Sequence, residues 1–299
     1  MNKAEHFKSG FVAVVGRPNV GKSTMINALI GDKIAIVSDK AQTTRNRIIC
    51  VYTDEEKQIV FMDTPGVHKP KHKLGEFMVD AAIESLKETE AVLFVVAGNE
   101  KRGPGDNFII EQLKRVIVPV FLVVNKIDTL QKEQVLEAIV SYQDAYPFAG
   151  VIPISAKNKE NLSELLNVLG EHLPEGPQYF PEDMITDQPE RLIISDIIRE
   201  KILLSTRDEI PHAIAVDVDE MKTRDDGTTY IRATIYCERD SQKGIIIGNK
   251  GALLRKIGAE ARMDIQKLLA TKVYLDLWVK VKKDWRNKSG MLSELGYKK

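Results

Sequence analysis

The sequence predicts two α/β domains in series, the first built on a mainly parallel sheet and the second smaller. Two observations carry this reading. Short continuous apolar runs alternate with helical patterns as far as residue 172, as expected of strands buried on both faces and joined by helical crossovers. A stretch at 173–190 with four prolines and no periodicity then interrupts the pattern, and alternating strands follow it. At 299 residues the chain is long enough for two ordinary domains, each with its own core.

In order, the first half places strands at 11–15, 47–52, 58–62, 91–97, 119–124 and 150–154. Helices fall at 22–30, 75–87, 107–116, 132–146 and 161–169, where apolar residues recur at three- and four-residue spacing. The first domain is therefore set at 1–173, and 174–190 is expected as a linker. The second domain, 191–299, opens with an amphipathic helix at 191–205. Strands at 213–221 and 230–238 follow, joined by the turn-rich KTRDDGTT. A helix at 252–269, a strand at 273–281 and a basic tail complete it.

Bulk properties narrow the class. Hydrophobic content of 43% and charged content of 29% are globular values. No apolar run approaches the roughly 18 residues that span a bilayer. The opening decapeptide has no apolar core, so no secretory signal is expected. The two cysteines, Cys50 and Cys237, are too few for a disulfide framework and point to a reducing, cytoplasmic setting. Charge is uneven: 1–188 carry 21 Lys and Arg against 26 Asp and Glu, while 189–299 carry 22 against 17. The C-terminal part is where a polyanionic partner is expected.

The chemistry begins at GRPNVGKST, Gly16-Arg17-Pro18-Asn19-Val20-Gly21-Lys22-Ser23-Thr24, directly after the first strand and running into the helix at 22–30. Glycines let the backbone curl so that successive N–H groups point at a phosphate chain, and the helix start adds positive field. Lys22 is placed to reach the β- and γ-phosphates, and the Ser23 hydroxyl to bind Mg²⁺. The pattern arises by chance in a chain this long with odds of roughly 1%.

NKID, Asn125-Lys126-Ile127-Asp128, stands at the end of the strand at 119–124, the strand end where open α/β sheets bind ligands. A carboxylate there accepts two hydrogen bonds from guanine, at N1–H and the 2-amino group, which adenine lacks. Two charge-assisted bonds of about 1.5–3 kcal/mol each discriminate by about a hundredfold or more. Asp128 is thus the base reader, with the Lys126 stem packing on the ring and Asn125 bracing the loop. Ser155-Ala156-Lys157, after the last strand, can offer backbone N–H to guanine O6.

Asp63-Thr64-Pro65-Gly66 ends the strand at 58–62. Asp63 is expected to hold Mg²⁺ through a water, and the Gly66 N–H to contact the γ-phosphate. Thr44, beside Arg45, is the first choice to complete the metal shell, with Thr43 the alternative. Lys22, Thr44 and Gly66 are the candidate catalytic groups.

The order and spacing of these motifs over about 10–172 resemble those of the translation-factor-like GTPases. The resemblance implies a P-loop GTPase domain that binds GTP and GDP with Mg²⁺. One departure stands out. Where many small GTPases place a glutamine after D-x-x-G to orient the attacking water, this chain has Val67, and His68 is one residue off. It resembles the subgroup with a hydrophobic residue there, which implies slow intrinsic hydrolysis resting on positioning and charge neutralisation. In that subgroup an asparagine at the position of Asn19 helps hold K⁺ near the phosphates.

A second glycine stretch, GIIIGNKG, contains Gly248-Asn249-Lys250-Gly251. It is no phosphate loop of the first kind, because no G-K-[ST] follows. Its setting gives it weight: an apolar lead-in at 245–247, a helix after it, and eight Lys and Arg against three Asp and Glu between Arg239 and Lys272. The α-β-β-α-β order with I-I-G-x-x-G resembles the bacterial-type (type II) KH domain, which implies a loop that clamps about four single-stranded nucleotides. Gly248 to Gly251 with Arg239, Lys243, Arg255 and Lys256 are the candidate RNA contacts. Trp285, in the tail, is expected to pack against its own domain.

The two domains together closely resemble a family of bacterial GTPases built from this pair. That resemblance implies binding near the 3′ end of small-subunit ribosomal RNA, a role in maturing that subunit, and a cytoplasmic monomer with peripheral association at the inner membrane face. A GTP-binding scaffold whose second domain docks protein is the alternative.

Overall fold

The computed structural model describes residues 6–297 except Lys33, Asp39, Ala41, Gln42, His68, Lys69, Lys71 and Asp208. The chain divides into two compact units, the first ending at Asp187 and the second beginning at Gln188.

The first unit runs β1 (Lys8–Val15), α1 (Lys22–Ile30), β2 (Ile48–Thr53), β3 (Lys57–Asp63), α2 (Lys73–Ser85), β4 (Ala91–Ala97), α3 (Pro104–Leu113), β5 (Val120–Asn125), α4 (Lys132–Gln143), β6 (Gly150–Pro153) and α5 (Leu162–His172). Its six strands lie in the order β2-β3-β1-β4-β5-β6. All pairs are parallel except β2 with β3. Asp54 explains that exception: its Oδ1 accepts the N–H groups of Glu56 and Lys57 at 2.9 and 2.8 Å, closing a hairpin. Alternate residues feed two cores. Val12, Val14, Phe61, Leu93 and Phe121 pack against α1 and α5, while Ala13, Met62, Phe94 and Leu122 pack against α3. This is why the strands read as unbroken apolar runs. The chain winds one way from β1 to β3 and the other way from β4 onward. The crevice at the carboxyl ends of β1 and β4 is therefore the topological switch point where such sheets take ligands.

The expected linker is more ordered than its sequence suggests. It forms no helix or strand, yet it lies along the sheet of the first unit. Ser9 N–H donates to the Pro174 carbonyl at 3.1 Å, and Gln58 Oε1 accepts from Tyr179 and Phe180. Val51 N–H donates to the Ile185 carbonyl at 2.9 Å. Prolines remove N–H donors and regular structure but leave carbonyls free to accept.

The second unit contains α6 (Glu190–Ser205), α7 (Ile210–Ala213), β7 (Ala215–Thr223), β8 (Thr229–Cys237), α8 (Asp240–Ile247), α9 (Ala252–Leu269), β9 (Val273–Val281) and α10 (Ser289–Glu294). It also takes in short stretches around Val37 and His72. The sheet order is β7-β8-β9, with β7 and β8 antiparallel and β8 and β9 parallel. A parallel pair requires a crossover, which α8 and α9 supply. Ile194, Ile198 and Ile202 of α6 pack with Ile257, Ala261 and Ile265 of α9 on the Ile231, Ala233 and Ile235 face of β8. The apolar lead-in at 245–247 is the last turn of α8, an extra helix that Gly244 had obscured in the sequence. Trp285 is fully buried, and its Nε1–H donates to the Ala213 carbonyl at 2.9 Å.

Candidate functional site

The loop Gly16–Ser23 leaves β1 at the switch point and enters α1. Gly21 takes φ +97° and Asn19 φ +65°, the left-handed turns that curl the backbone. A Cβ on Gly16 would run into the Val95 carbonyl oxygen, and one on Gly21 into the Asn125 side chain. Close packing thus demands both glycines. Lys22 is buried, and its Nζ donates to the carbonyls of Gly16 and Arg17 at 3.1 and 3.0 Å. Burial lowers its pKa to about 8, against an upward pull from Asp63.

Three oxygen groups from separate motifs meet beside it. Ser23 Oγ donates to Asp63 Oδ2 at 2.7 Å, Ser23 Oγ and Thr44 Oγ1 lie 2.9 Å apart, and Thr44 Oγ1 donates to Asp63 Oδ2 at 3.3 Å. Thr44 and Asp63 are buried. One carboxylate and two hydroxyls form a hard, oxygen-only donor set of the kind Mg²⁺ takes when phosphate oxygens and waters complete its shell. Among the described residues no cluster of three or more His, Cys, Asp or Glu could hold a metal ion. The structure thus brings Thr44, the first choice, into this group.

Thr64 Oγ1 donates to the Val14 carbonyl at 2.6 Å, and Pro65 and Gly66 follow, buried. A Cβ on Gly66 would lie 2.8 Å from Pro18, so only glycine lets this segment approach the phosphate loop. Val67 is buried, and its N–H donates to the Gly16 carbonyl at 3.2 Å. His68 lies outside the described residues.

Asn125 joins three loops. Its Nδ2 donates to the Val20 carbonyl at 2.9 Å, and its Oδ1 accepts the N–H groups of Lys126 at 2.7 Å and Ala156 at 3.0 Å. Lys126 turns the chain with φ +67°, presenting Asp128. The Ser155 hydroxyl donates to Asp128 Oδ1 at 2.7 Å and fixes the carboxylate. Sequence reasoning assigned Ser155, Ala156 and Lys157 a backbone role and missed this side-chain contact. Ser155 and Ala156 are buried and Lys157 is exposed.

The second glycine loop has the opposite character. Gly248 ends α8 with φ +71°, and a Cβ there would lie 2.8 Å from that of Leu253. Asn249 and Lys250 are exposed at the tip of a single 3₁₀ turn. A groove of about 470 Å³ runs from Gly251 along Leu254, Arg255, Gly258, Ala259 and Arg262 of α9, facing Leu275 and Leu277 of β9. At 100° per residue, Lys256 points well away from this line. It lies 3.8 Å from Glu260 instead. Arg239, just before α8, is exposed and Lys243, on α8, is half-buried; both lie outside the lining. Of the five basic residues among the candidate contacts, Lys250 included, only Arg255 lines the groove. Arg262, not singled out from the sequence, also lines it, and Gly258-Ala259, four residues after Leu254 and Arg255, marks in the sequence where a helix face lacks bulk.

Phosphate loop, oxygen triad and base-reading loop at one sheet end, and a helix-flanked G-x-x-G groove in the second unit, define a P-loop GTPase joined to a KH domain. A model described as 50S ribosome-binding GTPase matches residues 11–126, and a KH domain model matches 209–286. GTPase Era of Alkaliphilus oremlandii (strain OhILAs) is 57% identical over 292 residues, covering 97% of this chain and 99% of its own. The chain belongs to the Era family of GTPases. A crystal structure of Era with MgGDPNP and nucleotides 1506–1542 of 16S ribosomal RNA matches at TM-score 0.95 and 43% identity, covering 98% of this chain and 99% of that one. A tyrosine-to-alanine variant of Aquifex aeolicus Era bound to GDP and tetrafluoroaluminate matches at 0.94 and 43%, covering 97% and 99%.

Proposed function

We propose that this GTPase is a nucleotide-controlled clamp that binds unpaired RNA near the 3′ end of small-subunit ribosomal RNA and assists maturation of that subunit. The observation that carries the reading is the open groove beside Gly248–Gly251, with Arg255 and Arg262 on one wall and Leu275 and Leu277 on the other. Bases need apolar walls and phosphates need cations. The relative crystallised with 16S ribosomal RNA nucleotides shares this fold over its length.

In hydrolysis the chain's own groups position and neutralise. The amides of the phosphate loop and Lys22 receive the β- and γ-phosphates. Ser23 and Thr44, with Asp63 through a water, would hold Mg²⁺, which would supply charge neutralisation at the phosphate oxygens. The Gly66 N–H meets the γ-phosphate. Val67 offers no hydrogen bond to the attacking water, so the intrinsic rate is slow. Asn19 would help hold K⁺ near the phosphates; equal rates in potassium and sodium buffers would remove it from that role.

Switching follows from the segment before Thr44. Val37, seven residues upstream, packs in the second unit, where its N–H donates at 3.0 Å to Oε1 of the buried Glu200 on α6. Capture of Thr44 by nucleotide and metal pulls on that contact, and RNA affinity changes with nucleotide state. Fluorescence anisotropy of a labelled 3′-terminal oligoribonucleotide with a GTP analogue and with GDP tests this: affinities differ severalfold, and identical affinities would contradict the switch. The protein acts as a cytoplasmic monomer with peripheral contact at the inner membrane face.

A further inference from the structure

Arg17 is the second residue of the phosphate loop, yet its side chain leaves the loop. Nε donates to Asp106 Oδ1 at 2.9 Å and Nη2 to Glu100 Oε2 at 2.9 Å. Asp106, in the first turn of α3, is fully buried, and its other oxygen accepts the Gly103 N–H at 2.8 Å. Glu100 in turn places Oε1 3.7 Å from Lys126 Nζ in the base-reading loop. One chain of charges, Asp106–Arg17–Glu100–Lys126, therefore runs from the start of α3 through the phosphate loop to the loop that reads guanine. The fit is close: a Cβ on Gly105 would lie 2.9 Å from Arg17 Cδ, so the helix start is shaped to the arginine stem. Glu100, Gly105 and Asp106 belong to none of the nucleotide motifs.

We propose that Asp106 and Glu100 are positioning residues for nucleotide binding, holding the phosphate loop in register with the base-reading loop through Arg17. Asp106 is fully buried and its Oδ1 meets Arg17 Nε at 2.9 Å, so the two side chains fix one another. Releasing Arg17 loosens the backbone that presents amides to phosphate, and affinity rests on those amides being in place beforehand. The inference rests on the GTPase site described above and extends it to residues that touch no nucleotide.

The test is the dissociation rate of fluorescent GDP, together with GDP and guanosine affinities, for the full chain and its Asp106→Asn, Glu100→Gln and Arg17→Gln variants. Asp106→Asn speeds GDP release about tenfold, the range for coupled neighbours. Guanosine, which lacks phosphates, is held nearly as before. Glu100→Gln, at a 40% exposed side chain, speeds release about twofold. Adding Asp106→Asn to Arg17→Gln changes nothing further. Unaltered GDP release in both Asp106→Asn and Glu100→Gln, with only a lowered unfolding temperature, reduces the carboxylates to fold stability and overturns the proposal. Equal losses for GDP and guanosine overturn it too. Should Asp106→Asn fail to fold, Glu100→Gln decides alone. A parent protein that holds no GDP would sink the nucleotide site itself, a distinct outcome.

Discussion

The loop at 16–23 and the loop at 248–251 use glycine for one geometric purpose in opposite settings. In the first, Lys22 is buried, and Asn125, Asp63 and Arg17 tie the loop to neighbouring motifs from several directions. In the second, Asn249 and Lys250 stand exposed at the tip of one turn beside an open groove. Bracing suits a compact, highly charged ligand with one correct pose. Openness suits a polymer that passes through, each nucleotide adding a modest share. The amide chemistry is common to both; what distinguishes them is how many other elements hold each loop.

The largest expected effect lies on the braced side. Asp128→Asn removes the carboxylate proposed to accept from guanine N1–H and the 2-amino group, and is expected to lower GDP affinity about a hundredfold while leaving RNA affinity of the nucleotide-free protein intact. Isothermal titration with GDP and with xanthosine diphosphate checks it; xanthosine, with an acceptor at position 2, regains what guanosine loses.

Next comes pH. The pKa of Lys22 is about 8 in the nucleotide-free fold, against 10.5 for the free side chain, and the cation is the form that pairs with phosphate. Below pH 8 Lys22 is charged before and after binding, so affinity is flat. Above it binding must take up a proton, and affinity falls by up to about tenfold per pH unit. Stability of the nucleotide-free protein moves the other way. Burying the cation is unfavourable below pH 8, and that penalty fades as the pH rises toward 10.5, where the unfolded chain also loses the proton. Titrations of GDP binding and of denaturant unfolding across this range read both slopes. RNA binding, through exposed arginines, should lack this dependence.

The smallest effect is on the open side. Arg262→Gln weakens RNA binding about threefold at moderate salt and reduces the slope of log affinity against log salt by about 0.7, one phosphate contact on a single strand. Lys256→Gln, off the groove face, leaves that slope unchanged. Equal effects of the two would favour a diffuse basic patch over a groove.

Much of this was legible before any coordinates. Motifs at strand ends were legible because their residue types suit a chemistry, and the fold brings them together: Ser23 Oγ meets Asp63 Oδ2 at 2.7 Å, and the Ser155 hydroxyl meets Asp128 Oδ1 at 2.7 Å. Linkages between motifs were not legible. Asp106 reads as an ordinary residue of a helix's first turn, and nothing local says that its partner is Arg17, 89 residues away. Which basic residues of α9 line the groove was not legible either, because charge density along the chain ignores which way a helix faces: Arg255 and Arg262 line it and Lys256 does not. The stretch at 174–190 read as a linker because aperiodicity rules out regular structure but says nothing of where carbonyls find donors.

The most direct measurement puts both ligands to both loops at once: fluorescent GDP and a labelled 3′-terminal oligoribonucleotide, each titrated against the parent protein, Lys22→Ala and Gly248→Asp. The account predicts a clean division. Lys22→Ala loses GDP affinity about a hundredfold, a buried charge-assisted contact, and keeps RNA. Gly248→Asp, which forces a side chain into a φ of +71° beside Leu253 and adds a negative charge, loses RNA and keeps GDP. A Gly248→Asp protein that binds the oligoribonucleotide as tightly as the parent, or a Lys22→Ala protein that still holds GDP, would contradict it.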